Sequence, residues 1–193
     1  MRAWLLGAAV VAAASSGAAR AGEWQVTPLA GFRGGGSVEE IGTGDSVSLD
    51  EGLVLGLTLG RSVGPEQRIE VVFSRQDSGV SGRSANIDHI HLAGVYEPDN
   101  GRSVRGYAVA SVGATRFALT GGGADSDVRF SASAGGGARL VLGAHVSARL
   151  EVRGWGILAN ADAKVFCSGG CEFAFAGDGV FQIETTAGLS ISF

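Results

Sequence analysis

The sequence has little proline, little charge, and no apolar segment long enough to cross a bilayer as a helix. Only 3 of its 193 residues are proline and 18% are charged. Its longest apolar run, Trp4 to Ala14, falls well short of the ~20 residues that a transmembrane helix needs. No low-complexity linker divides the chain, so its length predicts one domain. Low charge without a transmembrane helix needs an explanation, and the strand patterns of the remaining sequence supply one.

The start of the chain has the features of a secretory signal peptide. Arg2 precedes the apolar run, and the A-x-A pattern at 19–21 provides the small residues that signal peptidase requires. We expect residues 1–21 to be removed and the mature chain to begin at Gly22. No cysteine follows the apolar run, which argues against a lipoprotein anchor. Of the 15 basic residues, 13 would remain against 19 acidic ones, so no nucleic-acid partner is expected.

A period of two runs through most of the remaining sequence. Over residues 52–61, 145–157 and 180–193, apolar side chains alternate with small or polar ones, which is strand spacing and fits no helix. Pro28 interrupts the first strand, and the fifth strand has small residues on both faces, so its inward face stays open. The eight predicted strands are 24–33, 52–61, 67–77, 87–97, 104–117, 128–142, 145–157 and 180–193.

The connections between these strands alternate in length. Long loops on one side and tight turns on the other are typical of bacterial outer-membrane barrels, whose strands need ~9–11 residues to cross the bilayer. The long connections are 34–51, 78–86, 118–127 and 158–179, and the short ones are 62–66, 98–103 and 143–144.

Two features favour a membrane barrel over a soluble one, in which the apolar stripe would face inward. The polar stripe is mostly Gly, Ser, Thr and Ala, too small and too sparsely charged for a solvated surface. Aromatic residues also fall into two groups by height, as the two membrane interfaces select. Trp24, Tyr96, Tyr107 and Phe193 lie at the short-turn ends, and Phe32, Phe73, Phe117, Phe130 and Phe181 lie toward the long loops. The predicted fold is all-β, a closed eight-stranded antiparallel transmembrane β-barrel preceded by a cleaved signal peptide.

Three segments are the most distinctive of the chain. They are the terminal strand Thr186-Ala-Gly-Leu-Ser-Ile-Ser-Phe193, the strand Leu55-Gly-Leu-Thr-Leu-Gly60, and the hairpin joining Gly135-Gly-Gly-Ala-Arg139 to Arg149-Leu-Glu-Val-Arg-Gly154. With them, nearly all of residues 22–193 resembles the outer membrane protein β-barrel domain family, which includes the transmembrane domain of outer membrane protein A. The resemblance implies that Phe193, on an amphipathic last strand, is the signal recognised by the barrel-assembly machinery. No peptidoglycan-binding domain follows in this sequence, so a cell-wall tethering role is not implied.

Six charged residues lie on the polar stripe and point into the lumen if the apolar stripe faces lipid. Eight strands leave an interior just wide enough for side chains, so opposite charges there should pair. We expect a salt-bridged plug that fixes the barrel, and the alternative is a gated polar channel or ligand site. The six are Glu70, Arg139, Arg149, Glu151, Arg153 and Glu184.

Two histidine patterns could carry chemistry. His89 and His91 share a strand face, and such a pair chelates a metal only if a third ligand approaches; none can be identified. His145 and Ser147 have the spacing found in lipid A deacylase barrels, but their depth and facing disagree with attack on outer-leaflet lipid. We therefore expect no catalytic residue, no metal and no cofactor.

Cys167 and Cys171 flank Ser-Gly-Gly in the last long connection. The glycine-rich spacer lets two half-cystines approach within bridging distance, and an oxidising compartment favours a disulfide over a metal pair. The neighbouring Phe166, Phe173 and Phe175 either pack over the bridge as a contact surface or only order the loop.

These observations imply an integral outer-membrane barrel with a structural or envelope-integrity role, or with loops that contact lipopolysaccharide, surfaces or other proteins. The alternatives are a narrow small-solute pore and a lipid-modifying enzyme. The expected partners are outer-membrane lipid, lipopolysaccharide and the barrel-assembly machinery, and we expect a monomer. The sequence does not identify a partner for the loops.

Overall fold

Eight antiparallel strands close into a barrel in the computed structural model of the protein. The structure describes residues 23–35, 37–40, 46–48, 51–80, 83–119, 126–158, 164–167, 171–174 and 179–193. The expected signal peptide, residues 1–21, and the cleavage site before Gly22 lie outside these residues. Within the described ranges, no helix is long and apolar enough to span a membrane.

The barrel strands are β1 (Trp24–Gly34), β4 (Gly52–Ser62), β5 (Gln67–Val80), β6 (Arg83–Tyr96), β7 (Val104–Leu119), β8 (Ser126–Val141), β9 (Val146–Leu158) and β12 (Gly179–Ser192). The short strands are β2 (Ser37–Glu40), β3 (Ser46–Ser48), β10 (Lys164–Cys167) and β11 (Cys171–Ala174). The barrel strands follow one another around the ring, in the order β1-β12-β9-β8-β7-β6-β5-β4. The four short strands, from the connections β1–β4 and β9–β12, form a second, small sheet, in the order β10-β11-β2-β3.

The eight predicted strands are confirmed, but the prediction of a long loop over 78–86 is wrong. Strands β5 and β6 continue toward each other until Val80 pairs with Arg83, which leaves only residues 81–82 between them. Serine, glycine and asparagine dominate this stretch, and these residues favour turns. Pairing with the neighbouring strand overrides that local preference, because strand propensity depends strongly on context.

Pro28 leaves a local gap between β1 and β12. The ladder pairs Val26 with Ile191 and Leu29 with Gly188 but has no pair at the two residues between them. The register is the same on both sides of this gap, so no residue is inserted. Proline has no N–H to donate. The hydroxyl of Thr27 donates to Ser190 Oγ at 2.8 Å, and this side-chain hydrogen bond spans the gap.

The outer surface of the barrel is apolar, and most of the aromatic residues on it lie near the strand ends, whereas Phe73 lies in the middle of β5. The prediction that Tyr107 and Phe117 belong to the outer aromatic groups is wrong: they are only 7% and 9% exposed and point inward. The odd-numbered residues of β7 face the interior. The sequence leaves the inward face of this strand open, because both faces carry small residues. The other seven are exposed on the outside: Trp24, Tyr96 and Phe193 at one end, and Phe32, Phe73, Phe130 and Phe181 toward the other.

Candidate functional site in the barrel interior

The barrel interior is strongly charged although almost no solvent reaches it. Alternation along each strand directs one set of side chains inward, and the narrow ring packs them against one another. The six residues predicted to point into the lumen are buried there, from 1% exposed for Glu70 and Arg153 to 9% for Arg139. Charged groups this deep in a protein need partners, and the interior is organised around providing them.

Seven of the inward side chains form a continuous ion-pair chain in which arginine and glutamate alternate. It begins near the short turns and runs toward the opposite end, so that each glutamate lies between two arginines. We call it the charge chain, and its members in order are Arg139, Glu97, Arg68, Glu70, Arg149, Glu151 and Arg153.

The turn-side part of the charge chain is centred on Glu70. Arg68 Nε donates to Glu70 Oε1 at 2.7 Å, and Arg149 Nη1 donates to both oxygens, at 2.8 and 3.0 Å. Arg68 also approaches Glu97 at 3.8 Å, and Arg139 Nε donates to Glu97 at 2.9 Å. Two-sided pairing of this kind offsets the desolvation of each carboxylate.

The other part of the charge chain is centred on Glu151. Arg149 Nη2 contacts Glu151 Oε2 at 2.5 Å, and Arg153 Nε donates to Oε1 at 2.8 Å. The hydroxyl of Tyr107 donates to Glu151 at 2.9 Å and accepts from Arg149 Nε at 2.7 Å. Tyr107 fits here because a Cβ at Gly137 would lie only 2.5 Å from its hydroxyl. The small residue on β8 therefore makes room for the large one on β7.

A separate ion pair joins Arg33 to Glu184. Arg33 on β1, Glu184 on β12 and Arg153 on β9 lie directly opposite one another across three adjacent strands. Arg33 Nε donates to Glu184 Oε2 at 2.8 Å, and its Nη2 donates to Ser74 Oγ at 2.7 Å. Glu184 therefore pairs with Arg33 on one side of it. Arg153, on the other side, shares Glu151 with Arg149.

Trp155 fills the lumen beyond the end of the charge chain. It is 0% exposed, with the guanidinium carbons of Arg33 and Arg153 at 5.2 and 5.3 Å from its ring centre. The ring of His89 stacks on it at 4.2 Å, and His91 meets it edge-on at 4.8 Å. A large aromatic side chain packed on all sides leaves little open cross-section at this level.

The two predicted histidines belong to a chain of hydroxyl hydrogen bonds. His89 Nδ1 lies 2.7 Å from Thr115 Oγ1, which donates to Ser131 at 2.7 Å, and Ser131 lies 2.8 Å from His91 Nε2. His91 Nδ1 is 2.9 Å from Ser111. No cluster of three or more metal-ligating side chains occurs in the described part of the chain. Three of the four ring nitrogens are thus occupied by hydroxyl groups.

The other candidate residues lie apart from the charge chain. His145 is exposed at a short turn, with Nδ1 3.0 Å from the carbonyl of Ser192, whereas Ser147 is 5% exposed and faces inward. They therefore do not point toward a common substrate. In the small sheet, the backbone of Cys167 lies directly opposite that of Cys171. A disulfide between them stays a prediction, and directly paired antiparallel residues have the Cα separation that it requires.

Several interior residues were missed by the sequence reasoning. Arg33, Arg68 and Glu97 complete the ion pairs, and Trp155 closes the lumen beside them. The period of two could have found Arg68, which shares a face with Glu70, and Trp155, which shares one with Arg153. The same period could have found Glu97, which shares a face with His89 and His91 in the predicted strand 87–97, although β6 itself ends at Tyr96.

A closed antiparallel barrel with an apolar exterior and a charged, paired interior is a transmembrane β-barrel. The chain belongs to the outer membrane protein beta-barrel domain family, whose profile matches residues 6–169. The protein is therefore located in the outer membrane. No curated protein shows significant similarity to it.

Solved structures of small outer-membrane proteins share this fold. Neisserial surface protein A (NspA) is 16% identical, with a TM-score of 0.66 over 89% of this chain and 97% of that one. OprG from Pseudomonas aeruginosa is 14% identical, with a TM-score of 0.63 over 90% and 96%. The N-terminal barrel domain of OprF, also from Pseudomonas aeruginosa, is 10% identical, with a TM-score of 0.51 over 87% and 97%. At these identities the likeness is one of fold.

Proposed function

We propose that this protein is a closed, non-conducting outer-membrane barrel that contributes to envelope integrity and presents its loops for contact outside the cell. The observation that supports this most directly is the interior, where the charge chain, the Arg33–Glu184 pair and Trp155 occupy successive levels of the lumen. The Arg149–Glu70 ion pair joins β9 to β5, and Glu97 lies between Arg68 of β5 and Arg139 of β8. Opening a path would therefore require several buried ion pairs to separate together.

The small sheet supports the proposal that the loops are presented for contact outside the cell. Strands β2 and β3 come from the connection between β1 and β4, and β10 and β11 come from the connection between β9 and β12. Phe173 and Ala174 of β11 pair with Glu40 and Glu39 of β2, which ties these two connections together. Backbone pairing between connections gives a defined surface for outer-membrane lipid, lipopolysaccharide or protein partners. Catalysis is not part of this proposal.

Planar-bilayer recording tests the closed barrel. We expect wild-type protein to show no steady conductance, and we expect rare brief openings in Glu151→Ala, where two arginines lose a shared carboxylate. Glu51→Ala, at an exposed position before β4, serves as the matched control and should resemble wild type. Steady ion-selective conductance of the wild-type protein would contradict the plug and favour the narrow pore.

A complementation assay separates the role of the loops from that of the barrel. A strain lacking the gene is tested for sensitivity to detergent and to large antibiotics, then supplied with wild type or with a variant in which residues 164–174 are replaced by a Gly-Ser linker of equal length. Rescue by both would assign envelope integrity to the barrel, whereas rescue by wild type alone would assign it to the small sheet. If the strain lacking the gene is no more sensitive than its parent, the envelope-integrity role is contradicted.

A further inference from the structure

Two guanidinium groups at the loop-side end of the charge chain have unused hydrogen-bonding capacity. Arg33 and Arg153 are each 1% exposed and lie on either side of Glu184 in register. Among the described residues, no hydrogen-bond partner is present for Nη1 of Arg33 or Nη1 of Arg153. The indole N–H of Trp155, whose ring both arginines approach, is also buried and unpartnered within the same part of the chain.

Nearby amide groups do not supply the missing acceptors. Gln76 donates to the carbonyl of Arg33 at 3.0 Å, and Gln182 donates to the carbonyl of Gly35 at 3.3 Å. The side-chain carbonyl oxygens of both glutamines accept no hydrogen bond from any described group, so they do not engage the free N–H groups. Buried N–H groups without acceptors are rare in proteins, and three in one region indicate a place for an acceptor.

The charges of the interior are also unequal in number. The charge chain has four arginines and three glutamates, and the pair Arg33–Glu184 adds one of each. Arg105 and Arg129 do not change this balance, because they pair with Asp99 and Asp127 near the two ends of the lumen. Among the described residues, one buried positive charge is therefore left over. The charge chain ends on an arginine at both ends, Arg139 and Arg153, and each shares its glutamate with a second arginine. Of these two, Arg153 is the one with a buried Nη1 that lacks a hydrogen-bond partner among the described residues.

We propose that the lumen binds one small monovalent anion, of the halide type, beside Trp155. Its ligands would be the free N–H groups of Arg33, Arg153 and Trp155, and its charge would neutralise the surplus arginine. A phosphate or other multivalent anion fits less well, because it would place extra negative charge next to Glu184 and Glu151. A small ion also suits an eight-stranded lumen that side chains nearly fill. The anion would complete the packing of the interior and would not depend on whether the barrel conducts.

Fluorescence of Trp155 tests this directly, because iodide quenches tryptophan and is itself a halide. Trp4 belongs to the expected signal peptide, so Trp24→Phe leaves Trp155 as the only tryptophan of the mature chain. The folded barrel is titrated with sodium iodide, with sodium gluconate holding the ionic strength constant. We expect quenching that saturates and that added chloride reverses, while neutral acrylamide and caesium quench far less. No quenching, or quenching that rises linearly without competition by chloride, would overturn the proposal.

Variants connect the quenching to the proposed ligands. Arg153→Gln should raise the iodide concentration for half-saturation by about tenfold or more, as expected for loss of a charged hydrogen bond. Arg102→Gln, in an exposed turn, should leave it unchanged. A heat-dependent gel shift verifies that each barrel has folded, and Arg153→Lys, which keeps the charge, replaces Arg153→Gln if that variant does not fold. Equal half-saturation in wild type and in the folded Arg153 variant would show that these N–H groups do not bind the ion.

Discussion

Replacing Glu151 with glutamine should be among the most destabilising single changes in the barrel. Glu151 is 2% exposed and accepts hydrogen bonds from Arg149, Arg153 and Tyr107. Glutamine has nearly the same shape, so the change removes charge while creating no cavity. Arg149 keeps its second carboxylate, Glu70, at 2.8 Å. Arg153 keeps none among the ion pairs of the described residues.

The expected loss follows from that difference between the two arginines. Removing one partner of a buried ion pair costs about 3–5 kcal/mol, because the other charge stays buried without compensation. Only Arg153 is left in that state, so Glu151→Gln should lower the free energy of unfolding by one such amount and not by two. Adding Arg153→Met should recover about 1 kcal/mol or more, because the double variant has no stranded charge.

Urea unfolding of the barrel in lipid vesicles measures both changes. Tryptophan fluorescence and the heat-dependent gel shift should report the same transition, and the midpoint and slope give the free energy of unfolding. Glu51→Gln is the matched control, since it makes the same chemical change at an exposed position. A loss below about 0.5 kcal/mol in Glu151→Gln, which is ordinary for a surface substitution, would refute the idea that the charge chain stabilises the barrel.

Three further predictions concern other parts of the molecule. Protein purified without reductant should show no thiol that reacts with maleimide, because Cys167 and Cys171 form a bridge; removing the bridge should leave the gel shift intact, and quantitative labelling would exclude it. Gly137→Ala should destabilise the barrel by about 1–3 kcal/mol in urea, since the new methyl group overlaps Tyr107 and a backbone carbonyl, and an unchanged midpoint would show that Tyr107 moves freely. Deleting Phe193 should reduce the amount of folded protein in outer-membrane fractions, whereas normal assembly would show that this residue is not a recognition signal.

The barrel itself could be predicted from the sequence because a lipid-facing strand must alternate. Leu53, Leu55, Leu57 and Leu59 repeat on every second residue and are all exposed on the outer surface. Where both faces carry small residues, as in β7, the period gives no direction, and the inward position of Tyr107 depends on partners in β9 that local sequence does not identify.

The interior was harder to predict than the scaffold. Alternation places Glu70, Arg149 and Glu151 inside, but their partners depend on the register between strands that are far apart in sequence. The hydrogen bond between Arg149 and Glu70 joins residues 79 positions apart, and the one between Arg33 and Glu184 spans 151. Glu97 shows the same limit, because its partner Arg139 on β8 lies 42 positions away.

The pairing of β1 with β12 has a consequence for how the barrel forms. Gln25 and Ser192 are hydrogen-bonded across 167 positions of sequence, and Trp24 and Phe193 exchange two backbone hydrogen bonds of 2.9 Å. The seam therefore joins the first strand of the barrel to its last. Until β1 and β12 pair, both strands have an open edge that can pair with another chain. Contacts so distant in sequence also form slowly. The interval between synthesis and closure is thus the period in which this protein most needs a chaperone to keep it from aggregating.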